Sequence, residues 1–294
     1  MKTLLSYFDN LAKKDGPDPV DFEELNAWYQ TIGDQIRKGF FSREEIKVIR
    51  DSYGEIFSEK TLQGFAVKKP HGYAGDFEII DRIYTKWISP EAKLSKWDRF
   101  FHSLEAVKAV RNRKEHFKKK LTDLEQSKPG RAITVLNVGS GPARDVYEYC
   151  CNNPSTQIIF ECVDIDRSAI NYAKTLCHEF THRVVFHECN IFRFKTDTSY
   201  DLVWSAGLFD YLNDKVFKYL LNKLLGMVCE GGELAIGNFS TKNPNRDCME
   251  FGEWYLSHRS SDDLTSLAME CNLHRDKVCV RAEPSGVNLF LHVN

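Results

Sequence analysis

Two stretches of the chain carry residue types whose spacing could do chemistry. The first is "HEFTH", His178 to His182. On a helix, H-E-x-x-H puts two imidazoles on one face to hold zinc and a glutamate to activate water for peptide hydrolysis. The second is Gly139-Ser140-Gly141, which follows the hydrophobic run "ITVLNV" (133–138) and leads into "ARDVYEY" (143–149). Glycines let a chain turn sharply and approach a ligand, and a helix N-terminus offers free N–H groups. That is the chemistry of a nucleotide-binding strand-to-helix turn.

The surroundings separate the two. A helix is expected after "VDIDR" (163–167), with Ala169, Ile170, Ala173, Leu176, Cys177 and Phe180 forming its apolar face. At 3.6 residues per turn, His178 and His182 fall roughly 140–180° from the centre of that face, near the helix C-terminus. Zinc held there would project into solvent, and His187 sits on the next strand. The pattern reads as a coincidence, and no metal site is expected. Nine cysteines, all beyond residue 149 and without a C-x-x-C pair, read mostly as small buried hydrophobes in a reducing compartment.

The elements that must position the glycine turn fall into two textures. Residues 1–130 show helical segments around 1–13, 20–38, 42–58 and 91–126, with "SREE" at 42–45 as a capping box. The last of these carries Phe100, Leu104, Val107, Phe117, Leu121 and Leu124 at helical spacing, and its "KEHFKKK" run reads as a solvated face. "KPGR" at 128–131 is a turn and the expected domain boundary. Residues 131–294 alternate strand-like runs (133–138, 158–164, 183–188, 200–207, 232–239) with helical stretches, which means right-handed crossovers and a mostly parallel sheet. "DKVCVRAEP" and "VNLFLHVN", joined by "SG", form a closing antiparallel hairpin.

Net charge is −2 over 294 residues, so no global basic field draws the chain to nucleic acid or anionic lipid. The opening "MKTLLSYFDNLAKKDG" is too short and polar for a signal peptide, and no run approaches the ~18 apolar residues of a membrane span. A cytoplasmic protein is expected.

Two cofactor classes compete for the glycine turn. A dinucleotide fingerprint wants a third glycine where Arg144 stands, although Asp164, about 25 residues after the first glycine, suits ribose hydroxyls in either class. The ordered set "VLNVGSGPARD", "CVDIDRSAI", "ECNIF", "YDLVWSAGLFDYL" and "CEGGELAIGNF" resembles the successive motifs of class I S-adenosylmethionine-dependent methyltransferases, over about 131–294. The resemblance implies a Rossmann-like seven-stranded α/β sheet with an antiparallel C-terminal hairpin, here preceded by a helical N-terminal domain. It implies S-adenosyl-L-methionine as cofactor, with Gly139, Ser140 and Gly141 under its methionine part and Asp164, beside Ile165, on its ribose. Asn190, Ile191 and Phe192 would meet the adenine, and Ala206 and Gly207 the sulfonium. Asn137 replaces the acid often found before the first glycine, and Asp145 is a substitute for it.

For methyl transfer the first half is a candidate lid and substrate domain. Its segment "KKPHGYAGDFEIIDRIY" (68–84) sets two glycines around Tyr73, a loop able to press close to a ligand. That segment, "AVRNRKEHF", "GLFDYLND" and the stretch 237–264 together resemble a bacterial group involved in making 3-hydroxypalmitic acid methyl ester, over roughly 65–294. This implies a small-molecule substrate and esterification of a carboxylate, which is already ionised at neutral pH and needs no base. A carboxylate calls for cations: Arg111 and Arg113, then Arg246 and Arg259. Tyr73, Tyr211 and Trp254 could line the pocket, and Asp210, Glu250 or Tyr211 would be bases for an alcohol or amine. The alternatives are a nucleic-acid or protein methyltransferase on the same fold, disfavoured by the missing basic stripe, and a non-catalytic cofactor-binding protein.

Overall fold

The computed structural model describes residues 2–294, with side chains from residue 6 onward. The first half holds α1 (Lys2–Lys13), α2 (Phe22–Arg37), α3 (Arg43–Ser52), α4 (Leu62–Lys68), α5 (Phe77–Tyr84), α6 (Ala92–Ser103) and α7 (Glu105–Ser127). Then follow β1 (Ile133–Val138), α8 (Arg144–Asn152), β2 (Ile158–Asp164), α9 (Arg167–Leu176), β3 (Val184–Glu188) and β4 (Tyr200–Ser205). The chain ends with α10 (Asp214–Leu225), β5 (Val228–Phe239), α11 (Arg246–Phe251), α12 (Ser261–Met269), β6 (Val278–Ala282) and β7 (Asn288–Val293). None of the described helices is long and apolar enough to cross a membrane.

The strands form one sheet in the order β3-β2-β1-β4-β5-β7-β6. β3, β2, β1, β4 and β5 run parallel, and β7 pairs antiparallel with both β5 and β6. The expected closing hairpin is present, with its second strand inserted beside β5. Alternation along each strand sends side chains to opposite faces. Leu136, Val138 and Val203 join Phe217, Leu220 and Leu224 of α10 in one core. Val135, Leu202 and Trp204 join Phe117 and Leu121 of α7 and Val146 of α8 in the other.

The compact units do not divide at residue 130. One comprises the chain up to Lys108 together with Pro244–Tyr255; the other comprises Ala109–Asn243 and Leu256–Asn294. Two facts explain the difference. The long helix expected over 91–126 breaks at Leu104, which is extended (φ −61°, ψ 136°), after Ser103 turns its hydroxyl onto Phe100 O at 2.6 Å. And α11 packs with the helices, not the sheet: Phe251 sets its ring against Trp28, Tyr29 and Phe57, at centroid distances of 5.6, 5.4 and 5.9 Å. Around it Arg37 pairs with Asp247, Arg50 with Glu253, and Asn245 Nδ2 donates to Asn26 Oδ1.

Within the helical unit the capping box at Ser42 and Glu45 forms as expected, each side chain bonded to the other's backbone N–H. The "KEHFKKK" run is not a wholly solvated face. Lys114 is buried on Glu148 at 2.6 Å, and His116 stacks on Phe290 at 4.2 Å.

Candidate active site

In an open α/β sheet, ligands bind outside the carboxyl ends of the strands where the strand order reverses. Here β1 is followed in sequence by β2 on one side, and the chain later returns to place β4 on the other. The crevice therefore lies at the ends of β1 and β4, between the turns at 139–143 and 206–212.

The first turn is shaped by backbone that only small residues accept easily. Gly139 and Gly141 have φ of +64° and +52°, and Ala143 joins them at +49° at the start of α8. Gly139 and Ser140 both donate to Val163 O, at 2.9 and 3.2 Å. Gly141 N donates to Asp164 Oδ2 at 2.8 Å, while Asp166 N donates to Asp164 Oδ1 at 2.9 Å. Each carboxylate oxygen keeps a further lone pair, so Asp164 can still accept two hydroxyls. Burial raises its pKa, against the pull of those amides. Ile165, next along, is 67% exposed, an apolar surface at the rim of the crevice.

The second turn meets the first. A Cβ placed on Gly139 would stand 3.3 Å from Leu208 Cβ. Sequence reasoning passed over Leu208, although it lies in "GLFDYL" directly after Gly207. Tyr211, 46% exposed, ends this short 3-10 turn (Leu208–Tyr211). Beneath the turn, Arg113 reaches from α7 to the end of β4. Its Nη1 is 3.4 Å from Ala206 O, and a Cβ on Gly207 would come within 2.9 Å of it. Two buried carboxyls face this guanidinium. Burial pushes Asp210 up to about 7 and Asp145 up to about 6, with Arg113 among the charges opposing each rise.

Other expected site residues are placed differently. Arg111 and Arg113, two residues apart on α7, lie ~200° apart around the helix. Arg111 is half-buried, and burial pulls its pKa down from the ordinary value. Asn190 turns its Oδ1 onto Phe192 N at 2.9 Å, shaping the turn after β3. Ile191 is buried in the core beside that turn, and Phe192 stacks on Tyr219 at 6.0 Å. Tyr73 belongs to the helical unit, on the loop before Asp76, which caps α5 through the N–H groups of Glu78 and Ile79. Trp254, Arg246 and Glu250 also lie in that unit, with Arg246 Nε on Glu250 at 2.6 Å. Arg259 turns its guanidinium onto its own fold, bonding to Phe209 O, Leu212 O, Asn238 and Asp214.

The "HEFTH" residues do not share a helix. α9 stops at Leu176, His178 begins a single 3-10 turn, and His182 lies beyond it. His178 Nδ1 is 3.1 Å from Thr175 O, and His182 Nε2 accepts from Arg183 Nε at 2.9 Å.

The crevice residues fit a sulfonium nucleoside. Asp164 presents paired acceptors, Ile165 an apolar shelf, and the glycines an approachable backbone. Next to them Asn137 Nδ2 and Ser140 Oγ are buried polar atoms with no protein partner, groups a bound ligand or water would satisfy.

Residues 129–274 match the family model described as Methyltransferase domain. No curated protein matches the chain. Among solved structures, a possible exported protein from Bordetella parapertussis superposes with a TM-score of 0.61 at 17% identity, over 74% of this chain and 78% of that one. The apo form of the S-adenosylmethionine-dependent methyltransferase SibL is similar at 17% identity and a TM-score of 0.49, over 90% of this chain and 77% of that one. Magnesium protoporphyrin IX methyltransferase from Synechocystis PCC 6803 with bound SAH gives 10% identity and a TM-score of 0.48, over 64% and 86%. At such identities the likeness to the Bordetella protein is one of fold. Residues 129–274 are thus similar to a methyltransferase domain and lie on a seven-stranded Rossmann-like sheet, and the cofactor such a domain implies is S-adenosyl-L-methionine.

Proposed function

We propose that the protein methylates a small molecule, and that the acceptor is the carboxylate of a fatty or 3-hydroxy fatty acid. The observation that supports methyl transfer best is the single crevice at the ends of β1 and β4, where the Gly139–Gly141 turn, Asp164 and Leu208 come together. When bound, the cofactor supplies a methyl carbon already activated by its sulfonium. The chain's task is alignment and exclusion of water. Asp164 would hold the sugar and the glycine turn the methionine part, with Ala206 and Gly207 as the backbone beside the sulfonium.

Support for a carboxylate acceptor comes from Arg113, a buried guanidinium held against Ala206 and Gly207. A carboxylate is ionised at neutral pH, so no base is needed and Tyr211 serves to orient. A specific observation favours a second reading. Asp210, buried at the same turn with its pKa pushed up to about 7, suits proton removal from an alcohol or amine. In both readings the cytoplasm suits nine unpaired thiols.

The test is mass spectrometry after incubation with S-adenosylmethionine across fatty acids, 3-hydroxy fatty acids, peptides and RNA. Gain of one methyl group as an ester on the acids supports the proposal. Methylation only of peptide or RNA, or an ether on the 3-hydroxyl, overturns the carboxylate assignment. Absence of S-adenosylhomocysteine binding overturns methyl transfer itself.

A further inference from the structure

The turn after β4 is held by a clamp that lies outside the crevice. Arg259 is 5% exposed and makes five hydrogen bonds, as many as a guanidinium has N–H donors. Nη1 donates to Phe209 O at 3.2 Å and Asn238 Oδ1 at 2.8 Å. Nη2 donates to Leu212 O at 2.6 Å and Asp214 Oδ1 at 2.8 Å, and Nε donates to the same Asp214 oxygen at 3.1 Å. The cation also lies over the Phe217 ring, 4.8 Å from its centroid.

The remaining backbone of the turn is tied to the same neighbourhood. Asp210 Oδ1 accepts from Phe239 N at 2.6 Å, and Asp210 O accepts from Ser257 N at 2.7 Å. Asn238 Nδ2 donates to Ser257 O at 2.9 Å, and Arg259 N donates to Phe239 O at 2.9 Å. Thus the end of β5 and the returning segment 257–259 are bonded to each other and together grip the turn at Phe209, Asp210 and Leu212. The chain between those two grips is the excursion Pro244–Tyr255.

We propose that Arg259 is a positioning residue for the methyl-transfer site, fixing the 207–212 turn so that Gly207, Leu208 and Tyr211 are held at the crevice. The inference rests on the proposed function, because the turn matters only if the crevice holds the cofactor. A turn whose only regular structure is one short 3-10 segment still has conformational entropy to lose. A guanidinium that caps carbonyls from both ends of it, at Phe209 and Leu212, removes that freedom in advance of binding, and preorganisation is read directly as affinity. Leu208 transmits the constraint to the cofactor side, where its Cβ lies 3.3 Å from the place a Cβ on Gly139 would occupy.

The experiment is calorimetric titration of S-adenosylhomocysteine into the wild-type protein, R259K and R259A, with hydrogen exchange followed at the amides of 208–212. R259A is expected to bind about tenfold more weakly or worse, with faster exchange across the turn. Guanidinium chloride at low millimolar concentration should restore much of the affinity by refilling the vacated site, and sodium chloride at equal ionic strength should not. R259K, with three donors for five positions, should fall between. Wild-type affinity in a folded R259A, with only a lowered melting temperature, overturns the inference by making the clamp purely structural. If R259A does not fold, R259K decides: unchanged affinity overturns the inference and weakened affinity supports it. Failure of the wild-type protein to bind S-adenosylhomocysteine overturns the proposed function, and this inference with it.

Discussion

The amide of Gly141 donates to the carboxylate of Asp164 across 2.8 Å, joining the glycine turn after β1 to the acid at the end of β2. One side chain thus shapes the loop at the proposed cofactor crevice. Asp164→Ala removes the acceptor for Gly141 N and Asp166 N as well as the proposed acceptor for the sugar hydroxyls. The variant should bind S-adenosylhomocysteine at least about tenfold more weakly by calorimetry. It should also lose about 1 kcal/mol of stability for each of the two partly buried amides that loses its acceptor. Unchanged affinity with lowered stability would confine Asp164 to a loop-shaping role.

Asp210 sets a pH dependence. Burial holds its pKa up at about 7, whereas an unfolded aspartate titrates near ~3.9. The folded state therefore binds more protons between those values, and stability falls as pH rises from ~4 toward 7 and then levels. In Asp210→Asn the amide oxygen can still accept from Phe239 N without titrating. The melting temperature of the variant should match the wild type near pH 4, pull ahead of it up to pH ~7, and keep a constant lead above. Parallel curves over the whole range would contradict the raised pKa.

His116 acts in the opposite sense. Burial, His292 and Lys120 lower its pKa from 6.5 to about 4, so it is neutral in the fold and protonated in the unfolded chain between those values. Its contribution is complete above pH 6.5 and is lost as pH falls toward 4. His116→Phe keeps the ring stacked on Phe290 and replaces the buried Nε2, which has no partner. The variant should lose less stability than the wild type between pH 7 and pH ~4.5 in urea titrations. An equal loss would place the acid sensitivity elsewhere.

Phe251 tests the make-up of the helical unit. It is 2% exposed against Trp28, Tyr29 and Phe57, and Arg50 Nη1 donates to its carbonyl. Phe251→Ala should cost about 3–5 kcal/mol in urea unfolding. A fragment ending at residue 130 lacks this ring and should show no cooperative unfolding transition. A sharp transition in that fragment would show that the excursion is dispensable.

The strands were legible because local pattern decides them. β1 and β2 occupy the runs read as strands, and the final hairpin follows from two apolar runs around Ser285-Gly286. The glycine turn and Asp164 were legible for the same reason: they are neighbours of strand ends. What sequence could not show are contacts between distant segments. Nothing in "NRDCMEFGEWY" announces that it leaves the sheet domain to complete a helical core. Arg259 looked like a receptor for an anion because its four partners, three of them backbone or neutral, are brought to it only by folding. The break at Leu104 was hidden by apolar spacing that stays helical through it, and α9 ends two residues short of His178 although the apolar pattern continues to Phe180.

The most direct test of the central claim is a crystal structure grown with S-adenosylhomocysteine. The nucleoside is expected in the crevice at the ends of β1 and β4, with both ribose hydroxyls on the Asp164 carboxylate and the amino-acid part over Gly139–Gly141. A nucleoside bound at another place, or a crevice that stays closed by Leu208 at saturating ligand, would contradict it.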